Sequence, residues 1–285
     1  MLKQRITTAI VLFAILFAAG VAPGMWPLTL FFSIAAAGCL WEWQRLVLPS
    51  SAALFAPVAG VVALLGFVFL ASGWLSPQST AALLSGHAWL VPVVVLVALA
   101  WVLGAGTVVL QGNVQRQPAS LALAVFGLLA VPVAWYVIIY FLLSRGVLFV
   151  VSLMALIWAA DIAAYFSGKT FGKRKLAPKV SPGKTWEGAL GGVVAAVLWL
   201  LASSYWPNTF GAGMMARFPV AVVVFLGIVL AALSIVGDLF ESLLKRRAGV
   251  KDSSGLLPGH GGIYDRIDAL LPVAPVAFLI LEGWN

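Results

Sequence analysis

The run RFPVAVVVFLGIVLAALSIVG, residues 217–237, has one charged side chain, that of Arg217, at its start. A helix that crosses the hydrocarbon core of a bilayer needs roughly 20 predominantly apolar residues. The run is therefore predicted to be a transmembrane helix. Asp238 follows it directly, so this acid is expected near headgroup depth, where the helix leaves the membrane.

Eight similar apolar runs lie before and after this one, and turn residues such as Pro23-Gly24 separate them. They cover about 6–22, 28–48, 53–75, 88–110, 119–143, 146–167, 186–206 and 267–284. The predicted fold class is therefore all-α: a polytopic integral membrane protein with about nine transmembrane helices.

The composition excludes soluble classes of protein. Of the 285 residues, 63% are hydrophobic and 9% are charged, and the mean hydropathy is +1.09. So few charges cannot cover the surface of a soluble enzyme of this size. Cys39 is the single cysteine, so an internal disulfide and a zinc site built from several cysteines are also excluded.

The basic residues predict the orientation. With the N-terminus in the cytoplasm and nine passes, all 17 Lys and Arg residues except Arg145 and Arg217 fall inside, as the positive-inside rule requires. The C-terminus then lies outside. The same bias and the compact length favour a bacterial inner membrane, with the active site facing the cytoplasm.

Polar residues are concentrated in the second half of the chain. We therefore predict a transmembrane scaffold over residues 1–150, where Glu42 is the single acid, and a catalytic transmembrane region with a cytoplasmic-facing polar cavity over 151–285. Asp161 lies inside an apolar run, and intramembrane acids are usually functional. The alternative for Asp161 is a hydrogen bond between helices, and small residues on its helix suit close helix contact.

A glycine-rich segment, residues 251–268, precedes the last apolar run. Its glycines allow backbone N–H groups to converge on an anion. Asp265 and Asp268 are three residues apart, and carboxylates of this kind suit Mg²⁺, which takes one or two of them. His260 alone is weak evidence for catalysis, and His87 is read as packing.

The basic loop of residues 168–188 offers lysines and hydroxyls that suit phosphates. Gly183-Lys184-Thr185 is no P-loop, because the first glycine of G-x-x-x-x-G-K-T would fall at Pro178. Acids that can seat a divalent cation, cations for phosphates and a glycine nest together suit phosphoryl or nucleotidyl transfer on a lipid headgroup.

From Ser242 to Asp268 the chain reads SLLKRRAGVKDSSGLLPGHGGIYDRID. This run resembles the signature of the phosphatidate cytidylyltransferases, also called CDP-diacylglycerol synthases: S-x-x-K-R, a K-D pair, P-G-H-G-G and D-R-x-D at fixed spacing. Asp161-x-x-Ala-Tyr and Ser181-Pro-x-Lys-Thr-x-Glu-Gly188 also resemble family features, although Gly183 stands where many relatives are expected to have a second lysine. The resemblance covers about residues 155–270.

The resemblance implies that phosphatidic acid attacks the α-phosphorus of CTP and gives CDP-diacylglycerol and pyrophosphate, with Mg²⁺ required. One or two Mg²⁺ ions are expected, and a monovalent cation is left open. Asp238 and Asp265 are the expected main metal ligands, with Asp161 and Asp268 as second candidates. Lys184 and His260 complete the catalytic set, and the residues expected to bind substrate are Ser181, Thr185, Lys245, Arg246, Lys251 and Arg266.

The expected partners are CTP, phosphatidic acid and membrane lipids, without nucleic acid; small-residue helix faces permit a homodimer. Three other functions stay open. A CTP-using polyprenol or dolichol kinase would share the lipid, the CTP and the basic loop, but the signature argues against it. A transporter or channel would need charges near the midplane, and a lipid-binding scaffold would need no chemistry.

Overall fold

The structure, a computed structural model, describes residues 2–52, 54–75, 90–115 and 120–283, except the side chains of residues 2–6 and 9. His87 and Arg116 lie outside the described residues. Each of the nine predicted runs corresponds to a helix within the described ranges. Helices are expected here because a chain in lipid must satisfy its backbone hydrogen bonds internally.

The helices follow the apolar runs closely. In chain order they are α1 (Leu2–Val21), α2 (Trp26–Val47), α3 (Phe55–Trp74), α4 (Val91–Gln111), α5 (Leu121–Arg145), α6 (Val147–Phe171), α7 (Trp186–Ser203), α8 (Phe210–Arg217), α9 (Val220–Ala248), α10 (Tyr264–Ile267) and α11 (Leu270–Leu281). A short 3₁₀ turn covers Ser50–Ala52, and α4 contains a π-helical stretch, Ala100–Ala105.

Six helices within the described ranges are long and apolar enough to cross a membrane: α3, α4, α5, α6, α7 and α9. The class of an all-α membrane protein is therefore confirmed. The count of about nine passes and the positions of the two termini stay predictions. The α11 helix has 12 residues, fewer than a perpendicular crossing requires.

The chain divides into two compact units. The first unit contains residues 1–90, 115–143 and 244–267, and the second contains residues 91–114, 144–243 and 268–285. The division into a scaffold (1–150) and a catalytic region (151–285) concerns function and stays a prediction.

In the first unit, α2 packs against α3 and α5. The indole of Trp43 donates to the Leu123 carbonyl at 2.9 Å, and the side-chain amide of Gln44 donates to the Ala124 carbonyl at 2.9 Å. The Trp43 ring also stacks on Tyr264 of α10, with centroids 5.2 Å apart. The α2 helix therefore contacts both α5 and Tyr264 of the glycine-rich segment.

In the second unit, α6 and α7 approach closely through small residues. A Cβ on Gly188 would lie 2.8 Å from the Ala164 carbonyl oxygen, and a Cβ on Gly192 would lie 2.8 Å from that of Ala160. The predicted close contact of this small-residue face is therefore confirmed, and its partner is α7 of the same chain.

The basic loop between α6 and α7 is partly a β-hairpin, which the sequence analysis did not predict. Strands β1 (Lys175–Ala177) and β2 (Ser181–Thr185) pair antiparallel. The Glu187 carboxylate accepts hydrogen bonds from the backbone N–H groups of Lys173 and Arg174 and so fixes the start of the hairpin. The all-α fold therefore carries one small sheet.

We expect Gly192→Ala to destabilise the protein and Gly66→Ala to stabilise it. A Cβ at Gly66 would meet no atom within 4 Å. Alanine there should raise the free energy of unfolding by about 1 kcal/mol, because alanine has a higher helix propensity than glycine. At Gly192 the added Cβ forces α6 and α7 apart, which costs about 2 kcal/mol. Thermal unfolding of both variants in detergent measures the two shifts, and shifts of the same sign would contradict the packing of α6 on α7.

Candidate active site

Lys184 and Asp238 form an ion pair in the second unit. The Lys184 Nζ lies 2.5 Å from Asp238 Oδ2, and the two side chains are 26% and 31% exposed. Lys184 is placed by strand β2 and Asp238 by α9. The Ser242 hydroxyl lies 3.5 Å from Asp238 Oδ1. Asp238 therefore already holds a cationic group and stays accessible to solvent.

Asp268 lies near this ion pair. Gly237 makes the approach possible, because a Cβ there would lie 2.5 Å from the Asp268 carbonyl oxygen. Asp268 interacts electrostatically with Asp238, Lys184 and Asp161. The second unit therefore gathers Asp161, Lys184, Asp238 and Asp268 into one electrostatic cluster.

Asp265 is the centre of a cluster in the first unit. Its Oδ1 lies 2.6 Å from Lys245 Nζ. Its Oδ2 accepts from the backbone N–H of Gly262 at 2.7 Å and from both the N–H (3.0 Å) and the hydroxyl (2.7 Å) of Ser253. With 7% of the side chain exposed, Asp265 is held by the Lys245 ammonium group, two backbone N–H groups and the Ser253 hydroxyl, which also lies against Glu42.

Glu42 holds the same segment from α2 and is completely buried. Its carboxylate accepts from the hydroxyls of Ser253 and Ser254 at 2.8 and 2.5 Å. It also accepts from the backbone N–H groups of Ile263 and Tyr264 at 3.0 and 2.7 Å. Glu42 belongs to the predicted scaffold, and no function was predicted for it. The signal that could have marked Glu42 as a functional residue was its position as the single acid of the first 160 residues.

His260 lies in a turn of the glycine-rich segment. Its backbone N–H donates to the Leu257 carbonyl at 2.8 Å, and its own carbonyl accepts from the Arg266 guanidinium at 3.0 Å. The ring Nδ1 is buried and has no hydrogen-bond partner among the described residues. Arg266 therefore closes this turn through the His260 carbonyl.

The other residues expected to bind substrate lie in two places. Thr185 is buried, and its hydroxyl caps α7 by accepting from the Gly188 N–H at 3.1 Å. Ser181 is half-buried on β2, while Arg246 and Lys251 are exposed in the first unit. The roles of these residues in binding substrate stay predictions.

In the described part of the chain, no three or more His, Cys, Asp and Glu side chains are grouped closely enough to hold a metal ion. Mg²⁺ requires one or two protein carboxylates and takes its remaining ligands from water and phosphate. Asp238 and Asp265 fit that requirement in their chemistry, because each carboxylate already binds a lysine ammonium group.

Each unit thus contributes a carboxylate paired with a lysine, side chains whose chemistry suits a hard cation and a phosphate group. Among the described residues, neither cluster is a Ser-His-Asp arrangement or a zinc motif. Side chains of these types suit transfer between phosphates, in which a substrate supplies the nucleophile.

Comparisons with known proteins agree with that chemistry. Residues 3–284 match the model of the cytidylyltransferase family. The phosphatidate cytidylyltransferase of Pseudomonas aeruginosa is 39% identical over 293 residues, which cover 100% of this chain and 99% of the relative. The enzyme of the same name from Haemophilus influenzae is 46% identical over 131 residues, 46% of this chain and 44% of the relative. That of Bacillus subtilis is 42% identical over 138 residues, 48% of each chain.

Proposed function

The chain belongs to the cytidylyltransferase family, and from this we propose that it acts as a phosphatidate cytidylyltransferase. It transfers CMP from CTP to phosphatidic acid and releases pyrophosphate, a step of phospholipid biosynthesis. The observation that carries the proposal is the match to the Pseudomonas aeruginosa enzyme along the whole chain. The uninterrupted signature from Ser242 to Asp268 supports it.

The six apolar helices and the bacterial relatives indicate a bacterial membrane protein. Its finer placement is part of the proposal: about nine passes in the inner membrane, the N-terminus and the active site on the cytoplasmic side, and the C-terminus outside. The uneven distribution of Lys and Arg supports this placement. The small residues of α6 pack on α7 of the same chain, so a homodimer would have to use another surface.

The reaction needs no nucleophile from the protein. A phosphate oxygen of phosphatidic acid forms a bond to the α-phosphorus of CTP. The bond from that phosphorus to the oxygen that bridges it to the β-phosphorus breaks, and pyrophosphate leaves with this oxygen. The protein must therefore hold two polyanions in line and offset the charge that builds up on the leaving group.

Lys184 and Lys245 are suited to that task. Each ammonium group lies beside a carboxylate, and an ammonium group has three donors that suit phosphate oxygens. We assign Ser181, Thr185, Arg246, Lys251 and Arg266 to substrate binding. His260 is assigned to a phosphate oxygen or the leaving pyrophosphate.

Asp238 and Asp265 are proposed to hold Mg²⁺, with Asp161 and Asp268 as further ligands. The proposal is supported by the chemistry of the two acids: each is a carboxylate of the kind that Mg²⁺ takes, and each lies beside a lysine within its own unit. When bound, the cation neutralises phosphate charge and stabilises the leaving group; one or two such ions, and a monovalent cation, remain part of this proposal.

Labelled CTP tests the reaction. Purified protein in detergent with phosphatidic acid and Mg²⁺ is expected to move label from the α-phosphate of CTP into lipid. Label from the γ-phosphate should stay in water-soluble pyrophosphate. A lipid kinase would give the opposite distribution, because it transfers the γ-phosphoryl group to an alcohol.

A reaction without phosphatidic acid serves as the control and should leave both labels in water. A transporter or a lipid-binding scaffold would release no pyrophosphate in either reaction. That result with every divalent metal tested would contradict the proposed function.

A further inference from the structure

Glu42 occupies an unusual position for a residue of a predicted scaffold. It lies on α2, a helix of the N-terminal half, and its exposed fraction is 0%. All four of its hydrogen-bond donors in the described structure come from the glycine-rich segment, more than 200 positions later in the sequence. The carboxylate therefore links α2 to that one segment.

Burying a carboxylate is costly unless hydrogen bonds replace its lost water. Here Oε1 accepts from the Ser254 hydroxyl and the Ile263 N–H, and Oε2 accepts from the Tyr264 N–H. The Ser253 hydroxyl also lies against Oε2, and its one proton is shared between Glu42 and Asp265. Hydrogen bonds to an ionised acceptor are roughly twice as strong as neutral ones. These hydrogen bonds therefore hold two parts of the glycine-rich segment, residues 253–254 and residues 263–264, on the one side chain of Glu42.

The link continues from Glu42 to Asp265. The Ser253 hydroxyl lies 2.8 Å from Glu42 Oε2 and 2.7 Å from Asp265 Oδ2. Gly262, whose N–H donates to Asp265, has no room for a side chain, because a Cβ there would collide with Ser253 Oγ and the Glu42 carboxylate. The position of the Asp265 carboxylate is thus set by the groups that Glu42 holds.

We propose that Glu42 is a positioning residue for the reaction. It orients the Asp265 carboxylate through Ser253 and the backbone of residues 262–264, and it does not touch substrate. The inference rests on the proposed function, since it assigns Asp265 to the metal and phosphate chemistry. It also places a determinant of the site in the half of the chain that lies outside the signature.

Glu42→Gln tests the proposal. Whichever way the amide turns, its NH₂ group faces either the Ile263 or the Tyr264 backbone N–H, neither of which can rotate away. We expect amide hydrogen exchange over residues 253–264 to become faster in the metal-free protein. We also expect the Mg²⁺ concentration for half-maximal activity to rise ~10-fold or more, as for groups that orient metal ligands.

Gln44→Leu is the matched control, because Gln44 is also buried on α2 but donates to Ala124 of α5. It should lower thermal stability and leave both the exchange of residues 253–264 and the Mg²⁺ requirement unchanged. Glu42→Asp, which keeps the charge, should recover part of the loss. Ser254→Ala, which removes one donor, should give a smaller change of the same kind and replaces Glu42→Gln if that variant fails to fold.

Unchanged exchange and an unchanged Mg²⁺ requirement in Glu42→Gln would overturn the proposal. Equal shifts in Gln44→Leu would also overturn it, because they would mean general destabilisation. If the unsubstituted protein releases no pyrophosphate, the proposed function fails. Hydrogen exchange in the metal-free protein still decides whether Glu42 orders the segment.

Discussion

The Asp238→Asn variant is expected to lose at least ~10²-fold in CTP-dependent pyrophosphate release while inserting and folding normally. Asparagine has nearly the same shape but lacks the charge that a hard cation requires. The stability should change little, because the ion pair of Asp238 with Lys184 is partly exposed and such pairs contribute about 0–1 kcal/mol. The loss should therefore appear in turnover and in the Mg²⁺ titration, with the thermal midpoint nearly unchanged.

A matched control for this variant is Glu282→Gln. Glu282 is a buried carboxylate that pairs with Arg145 at 2.7 Å, and it follows α11, whose first turn lies next to Asp268. Twelve residues of helix, ~18 Å, separate it from that acid. Near-normal turnover is expected for Glu282→Gln. Near-normal turnover in Asp238→Asn would remove Asp238 from the metal site.

Asp265→Asn is expected to reduce turnover by a similar factor, but with a structural cost as well. Asp265 is nearly buried and accepts from Lys245, Ser253 and Gly262. An asparagine NH₂ would face at least one of these donors, and an unsatisfied buried donor costs about 1–3 kcal/mol. We therefore expect a lower thermal midpoint in addition to the ~10²-fold loss.

Turnover and thermal unfolding of Asp265→Asn, measured beside Asp238→Asn, separate the two effects. The metal role predicts a similar loss of turnover in both variants and a stability loss mainly in Asp265→Asn. A lower thermal midpoint with near-normal turnover at a temperature where the variant is folded would contradict the role of Asp265.

The helices were predictable because the bilayer leaves the chain little choice. A run such as residues 217–237 must hydrogen-bond within itself in lipid, and the helix α9 follows. The observed helix continues to Ala248, beyond the apolar run, because Leu239, Phe240 and Leu243 still provide a buried face. The hydropathy of the sequence predicts the apolar part of a helix, whereas the packing of its buried side chains decides at which residue the helix ends.

Two features of the candidate site could not be predicted from local patterns. The hairpin β1–β2 depends on the Glu187 carboxylate, which binds backbone N–H groups 13 and 14 residues earlier. The role of Glu42 depends on donors more than 200 residues away. Contacts of that range leave no periodicity in the sequence, whereas the spacing of Lys245, His260 and Asp265 is visible because those residues belong to one signature.

The central claim is that Asp238 and Asp265 together hold a divalent cation. The most direct test is the anomalous signal of Mn²⁺ in crystals of the full chain grown with CTP and Mn²⁺ in place of Mg²⁺. We expect an anomalous peak with carboxylate oxygens of both residues as ligands. A peak that neither carboxylate approaches, or coordinates in which the two carboxylates lie too far apart to share one site, would contradict it.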